Sequence, residues 1–439
     1  MSTEEQLTAL QVNVNTGFLL LSSALVFIMI PGLGFFYSGL STEKSGLSFL
    51  LLCFMSVGVV LVEWFIWGYS LVFGPNSGPF IGNLNNAFFM ELGGSTIVGA
   101  HDLSYVLFQG MFAAITPALL LGAAAERCRI LPKMLFVFIW STIVYNVIAH
   151  WIWSADGWLF KLGVQDFAGG LVVHIASGIS GLACSLFIGK RKNMTNRPHS
   201  VSSVVLGTTL LWFGWMGFNG GSGFAPNGVA ALAFLNTNVA ASSAALTFML
   251  MDYIRHHKWS AIAFCSGAVS GLVAVTPAAG LVGPPAALLI GVVGGACTNV
   301  AIKLKRRIRY DDTLDVFGIH GIGGIVGSLL TGIFSQNYYM TLGSPDPLKV
   351  GGALDGNGMQ IVWQLVGTLA VMGYSFVMTY LIMFIMDKIP RMSLRMTEQN
   401  EEDGIDMCEI GEYTYEFIGD RINIDKKKTT KTDSYCMEE

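Results

Sequence analysis

Charge is scarce in this sequence. Lys, Arg, Asp and Glu together make up 12% of the 439 residues, against 53% hydrophobic residues. A soluble domain carries about 25% charged residues. One water-soluble core could not hide this much apolar surface, so lipid must cover much of it. Seven cysteines are scattered, and none falls in a connection expected to face outward, which argues against a disulfide framework. The glycine-rich strings GIHGIGG and GFNGGSG lack a P-loop lysine, so nucleotide or hydrolase chemistry has no support. No metal, cofactor or nucleic-acid partner is expected.

What is abundant is long apolar runs. Runs of about 20 apolar residues suit helices crossing a bilayer core. Eleven are legible, near 17–40, 48–73, 104–124, 131–151, 167–189, 201–221, 233–254, 260–276, 280–302, 316–335 and 358–386. No basic residue precedes the first run, which is longer than a signal-peptide core and reads as a retained helix. The fold expected is an all-α polytopic membrane protein, with a transmembrane domain over 1–390 and a polar tail over 391–439. The 52 glycines suit close helix packing in lipid.

Basic residues are nearly missing from every second connection. Lys161 and Lys349 stand alone on one side, and the other 23 lie on the opposite side or in the tail. The side rich in Lys and Arg is the cytoplasmic one. The N-terminus is therefore expected outside and the C-terminus in the cytoplasm, as an odd number of helices also requires. The sequon at Asn193 falls on the cytoplasmic side and is expected to be unused.

Two histidines break the apolar pattern in mid-span: His174 in QDFAGGLVVHIASGISGL and His320 in DDTLDVFGIHGIGGIVGS. Each lies eight residues after an aspartate, Asp166 or Asp312. Each is followed by the same glycine pattern, Gly178-Ile179 with Gly181 and Gly324-Ile325 with Gly327. An ionisable residue inside a membrane is costly and marks a functional site by default. A repeat separated by five helices means that the two halves cross in opposite directions. This is the trace of an inverted five-helix repeat with its site near the midplane, plus one extra helix.

Several strings together resemble the ammonium transporter family (Amt/Mep/Rh). They are PGLGFFYSGL, FQGMFAAITPALLLGAAAER, DFAGGLVVH, LWFGWMGFNGGS, SGLVAVTPAAG, DDTLDVFGIHGIGG and the tail string IGEYTYE. The WFGWMGFNGGS, PHSVSSVVLGT and IGEYTYE strings are most similar to fungal permeases that keep both pore histidines. The resemblance implies uptake of ammonium or ammonia for nitrogen utilisation, across the plasma membrane, by a homotrimer with one pore per subunit.

It also implies roles for single residues. Trp153 and Ser222, with Phe112, would recruit ammonium outside. Phe112 and Phe218 would form a gate of stacked rings, and His174 and His320 would line the pore below it. Asp166, Asn219 and Thr276 would support the site. Read without the resemblance, Trp153 is better taken as a residue of the interfacial aromatic belt, and no single one of the 29 Phe stands out. Asp312 and Asp315 suit helix capping, and Glu126-Arg127 suits an ordered cytoplasmic junction. Glu63, inside the second span, has no evident role.

Physical chemistry agrees with an ammonium site. Ammonium and potassium share a charge and a similar size, so selection must use N–H donors or proton loss. A Trp face attracts a cation by roughly 0.5–2 kcal/mol, a Ser oxygen accepts an N–H, and an apolar constriction penalises a full charge.

The tail reads as disordered by composition, with 13 of the 29 acids from Glu398 onward. Its apolar residues Ile405, Met407, Ile410, Tyr413, Tyr415 and Phe417 offer a way to dock on the basic face. The run KKKTTKTDS, with Thr429, Thr430, Thr432 and Ser434, suits phosphorylation by a kinase or contact with a regulatory protein. Three alternatives stay open: an ammonium sensor with incidental transport, a channel for a neutral gas, and a membrane cytochrome. The last is disfavoured because only two histidines lie in mid-span.

Overall fold

The computed structural model describes residues 2–192, 194, 198–308, 310–343 and 349–415. Asn193 and the run at 426–434 lie outside the described residues, as do Phe417, Thr429, Thr430, Thr432 and Ser434. Among the described residues, ten helices are long and apolar enough to cross a membrane: α1 Thr3–Leu40, α2 Glu43–Phe73, α3 Asp102–Ala124, α4 Ile130–Leu162, α5 Gly170–Ile188, α6 Val201–Gly221, α7 Gly228–His256, α9 Pro284–Lys305, α10 Phe317–Phe334 and α11 Met359–Asp387. The remaining span, α8 Ala261–Val275, is a shorter apolar helix of 15 residues. A short tail helix, α12, covers Glu398–Asp403.

The start of α1 differs most from the reading off hydropathy, for a local reason, while α8 ends where the sequence placed it. Helix α1 starts at Thr3 rather than near 17, because Ser2 caps it. The Ser2 hydroxyl accepts from Glu5 N, and the Glu5 carboxylate accepts from Ser2 N. This reciprocal cap stabilises a polar first turn that no hydropathy window detects. Helix α8 stops before Pro277. The irregular chain beyond it is buried, and Pro277 O accepts from Phe167 N at 3.1 Å. Non-helical backbone at this depth is tolerated only where protein satisfies it.

The bundle is turned inside out relative to a soluble protein. Leu20, Leu21, Phe54, Leu206, Phe213, Leu369 and Phe384 are exposed on its outside, while Glu63, Asn146, His174, Asn219, Asn236 and His320 are buried. Helices α1 and α6 share a long contact, α7 packs on α8 and α9, and α11 packs along α5 and α10.

The inverted repeat survives in local geometry. His174 sits in a π-turn, Gly170–Ile175, that leads into a 13-residue α-helical run. His320 sits in a π-turn, Phe317–Gly321, that leads into another 13-residue run. The two aspartates repeat as well. Asp166 accepts from the backbone N–H groups of Gly169, Gly170, Leu171 and Val172 at 2.5–3.0 Å. Asp312 accepts from Phe317 N at 2.8 Å. Each carboxylate thus satisfies amides at the start of its own histidine helix. Of the two capping candidates Asp312 and Asp315, the second instead pairs with Lys305.

The face that carries the tail is held by buried ions. Arg191 pairs with Asp311 at 2.9 Å and with Glu126 at 2.6 Å. Arg127 donates to Thr313 Oγ1 at 2.8 Å and to Asp311 O at 2.5 Å. Glu126 also accepts from Thr42 N at 2.7 Å. Against the compositional reading of disorder, tail residues near α12 dock here through specific bonds. Asp406 accepts from Leu47 N and Ser48 N, at the start of α2, at 2.9 and 2.8 Å. Glu409 accepts from Ile130 N at the start of α4. The tail carboxylates cap helix N-termini, where negative charge meets the favourable end of the helix dipole.

Candidate functional site

A cavity of about 360 Å³ opens on the face opposite the tail, lined by Phe112, Trp153, Phe160, Asp166, Ser222 and Lys349 among others. Three larger clefts lie on the tail face, with charged groups such as Glu43, Lys44, Arg191, Glu401, Lys303 and Arg307 in their walls. Among the cavities lined by described residues, the opposite one reaches the buried Phe112 ring.

Its geometry is set from the helices upward. Trp153, the last residue of the main run of α4, donates its indole N–H to Asp166 O at 3.0 Å. The Asp166 side chain meanwhile holds the N-terminus of α5. One residue therefore fixes both the indole and the helix that carries His174. Trp153 stands edge-on to Phe112, with ring centroids 5.8 Å apart at 83°. Ser222 ends α6 and turns its hydroxyl back to Phe218 O at 2.9 Å, which leaves the oxygen lone pairs available to a donor in the cavity.

Beyond the cavity the rings close up. Phe112 on α3 and Phe218 on α6 are stacked, with centroids 4.1 Å apart at 24°. Both are fully buried. Phe218 is 6.1 Å from the His174 ring. His174 and His320 lie with centroids 5.3 Å apart and their Nδ1 atoms 3.3 Å apart. Such a contact needs one Nδ1 as donor and the other as acceptor, so it holds a single proton on that axis. His174 Nε2 is buried without a partner among the described residues.

The supporting residues are near but not equivalent. Thr276 Oγ1 accepts the indole N–H of Trp215 at 2.9 Å and donates to Leu272 O. Asn219 donates to Thr237 Oγ1 at 2.9 Å, and its own carbonyl oxygen has no partner among the described residues.

Three residues escape sequence reasoning. Trp215 stacks on His174 at 5.3 Å and 23°, so it positions the ring by packing while Thr276 fixes its indole. Its spacing carries a signal, since Trp215, Phe218 and Ser222 fall at i, i+3 and i+7 on one face of α6. Lys349 lines the cavity from a loop, where periodicity says nothing. Glu63 accepts from Thr142 Oγ1 at 2.9 Å and Asn146 Nδ2 at 2.8 Å, at the junction of π-turns in α2 and α4. It ties those two helices together away from the ring column.

The matches to known proteins cover nearly the same length. The Ammonium Transporter Family model matches residues 17–415. The chain belongs to the ammonium transporter family. Ammonium transporter 1 of Schizosaccharomyces pombe is 47% identical over 409 residues, covering 92% of this chain and 82% of the relative. Ammonium transporter MEP2 of Saccharomyces cerevisiae is 46% identical over 92% of this chain and 83% of its own length. The crystal structure of Candida albicans Mep2 superposes with a TM-score of 0.85 at 42% identity, covering 90% of this chain and 88% of that one. Its relatives in this family are transporters embedded in membranes. The eleven-helix architecture and the fungal resemblance read from the sequence agree with these matches.

Proposed function

We propose that the protein takes up ammonium across the plasma membrane, through a pore in each subunit of a homotrimer. Ammonium is recruited outside between the Trp153 face and the Ser222 hydroxyl, beside Phe112. It loses its proton near the Phe112–Phe218 gate and passes as ammonia along His174 and His320. The observation that carries this reading is one continuous column of rings: Trp153, Phe112, Phe218, His174 and His320, each within 6.1 Å of the next.

Each station suits one step. A cation in the cavity meets a π face and an oxygen acceptor, which favour a species with both charge and N–H donors. A stack with centroids 4.1 Å apart leaves no room for a hydration shell, and an apolar constriction penalises a full charge. A neutral molecule of ammonia can then offer N–H to an acceptor nitrogen and accept from a donor nitrogen of the histidine pair. Potassium has no proton to lose and fails at the gate. In this reading the N-terminus is outside, residues 1–390 form the transport domain, and residues 391–439 form a cytoplasmic regulatory tail open to a kinase or partner protein.

Current across proteoliposomes after matched ammonium and potassium jumps tests the proposal. Current with ammonium alone supports a selective carrier of net charge. If there is no current but an internal pH dye responds, the protein passes neutral ammonia. Silence in both assays favours a sensor with little flux.

A further inference from the structure

Lys349 is one of only two basic residues in the connections opposite the tail face. It is also the only cationic side chain among the described residues that line the ring-capped cavity. The position is unexpected, because a fixed positive charge repels the cation to be recruited there. Its Nζ lies 3.7 Å from the centroid of the Phe160 ring and donates to Phe160 O at 2.7 Å. A π face with an oxygen acceptor is the chemistry offered to ammonium by Trp153 and Ser222. The lysine head is therefore an internal alkylammonium, seated on a cation site in the same cavity wall.

Among the described residues none pairs with it as a counter-charge. The one acid lining the cavity, Asp166, has both oxygens engaged by four backbone N–H groups. On the short helix that carries Phe160, Lys161 turns to Asp156 at 3.8 Å. Asp355, in the segment after Lys349, accepts from Asn337 N. Tyr105 is the titratable group contributed by α3. Loss of hydration pushes the Lys349 ammonium down to about 8, so its charge changes near neutral pH.

We propose that Lys349 tunes the affinity of this cavity for its cation: its charge, held on the Phe160 ring and carbonyl, sets the positive potential against which ammonium is recruited at Trp153 and Ser222. The proposal rests on the transport reading above. When Lys349 is charged, the site holds ammonium weakly and fills only at high supply. When it is neutral, or replaced by an uncharged residue, the same π face and hydroxyl act unopposed. The effect falls on binding of the cation and not on passage past the gate, so it belongs in KM and leaves the maximal rate nearly unchanged.

The test is ammonium flux into proteoliposomes holding the full chain, with KM and maximal rate measured from pH 6 to 8.5. The variants are Lys349→Met, Lys349→Gln and Lys349→Arg. Met and Gln should lower KM about three- to ten-fold at pH 6, the size expected of one charge in a partly wet cavity, and the gap to wild type should narrow by pH 8.5. Arg, which stays charged throughout, should match wild type at pH 6 and keep that KM at pH 8.5. Agreement between Met and Gln separates charge from packing. Superimposed KM values for all four proteins, or a KM raised by Met and Gln, would overturn the proposal while leaving transport intact. A wild type that carries no ammonium would remove both readings together.

Discussion

Gly178 and Gly321 meet backbone to backbone where α5 crosses α10. A Cβ on Gly178 would lie 2.1 Å from Gly321 N and 2.4 Å from its Cα. No side chain can yield at that point, so the two helices approach as closely as peptide groups allow. This crossing, one residue after His320 and four after His174, brings the imidazoles together. Gly178→Ala should force the helices apart. Overpacking of this kind costs about 1–3 kcal/mol. A lower melting temperature in detergent together with lost ammonium flux is the expected result. Unchanged flux would mean that the histidine spacing has slack.

The histidine pair can be removed without disturbing that crossing. His174→Ala combined with His320→Ala should abolish selective transport, because the path below the gate loses both its donor and its acceptor. The readout is ammonium flux measured against potassium flux in the same vesicles. Ammonium flux that still excludes potassium at the wild-type rate would show that the gate alone selects.

Trp153→Leu keeps the apolar contact with Phe112 and removes the π face. The loss of a cation–π contact worth roughly 0.5–2 kcal/mol corresponds to an increase in KM of about two- to thirty-fold, with a smaller change in maximal rate. A fall in maximal rate at constant KM would instead place Trp153 in the gate.

Asp311 tests the tail-face network. Burial acts to raise its carboxyl, but the hydrogen bonds and charge of Arg191, with the charge of Arg127, hold it down at about 2. The folded value lies below that of a free carboxylate, near 4. The stabilisation is therefore fully present above about pH 4 and is lost as pH falls through about 2. Melting temperature should stay insensitive to this group from pH 5 to 8. Asp311→Asn, which strands Arg191 and Arg127, should cost about 3 kcal/mol across that range. A variant that melts like wild type at pH 7 would show that the guanidinium groups find other partners.

Asp406 makes a further prediction about the tail. Asp406→Ala removes the acceptor for Leu47 N and Ser48 N, a cap worth about 1 kcal/mol. Protease cleavage between residues 390 and 415 should accelerate several-fold, while the helical bundle remains resistant. Equal cleavage rates would place tail docking on the other contacts, from Glu401 and Glu409.

Much of this was legible because lipid imposes simple rules. A bilayer sets the length of each apolar run, so the spans stand out, the short α8 among them, even though the polar start of α1 does not. The mid-span histidines stand out because their polarity is costly there, and their shared frame with Asp166 and Asp312 marks the repeat. Capping by Asp312 was legible from its place before a span, whereas the same role for Asp166 was hidden, since it depends on the π-turn after it. Trp215, Lys349 and Glu63 were invisible for a different reason. Each matters through a neighbour far along the chain, His174, Phe160 or Asn146, and no window of sequence joins them. In the tail, composition alone pointed to disorder, while single carboxylates matched to helix N-termini dock it.

The lone proton between His174 and His320 has a consequence for direction. Either ring can hold it, provided that the ring taking it sheds its Nε2 proton and the other ring gains one there, so that both stay neutral; this exchange of tautomers inverts the local dipole with almost no movement of heavy atoms. The two halves that supply the rings run in opposite senses, so a pseudo-two-fold axis in the membrane plane makes the two arrangements nearly equivalent. A pore with such a centre has no built-in one-way valve. It would conduct in whichever direction the concentration and voltage gradients dictate.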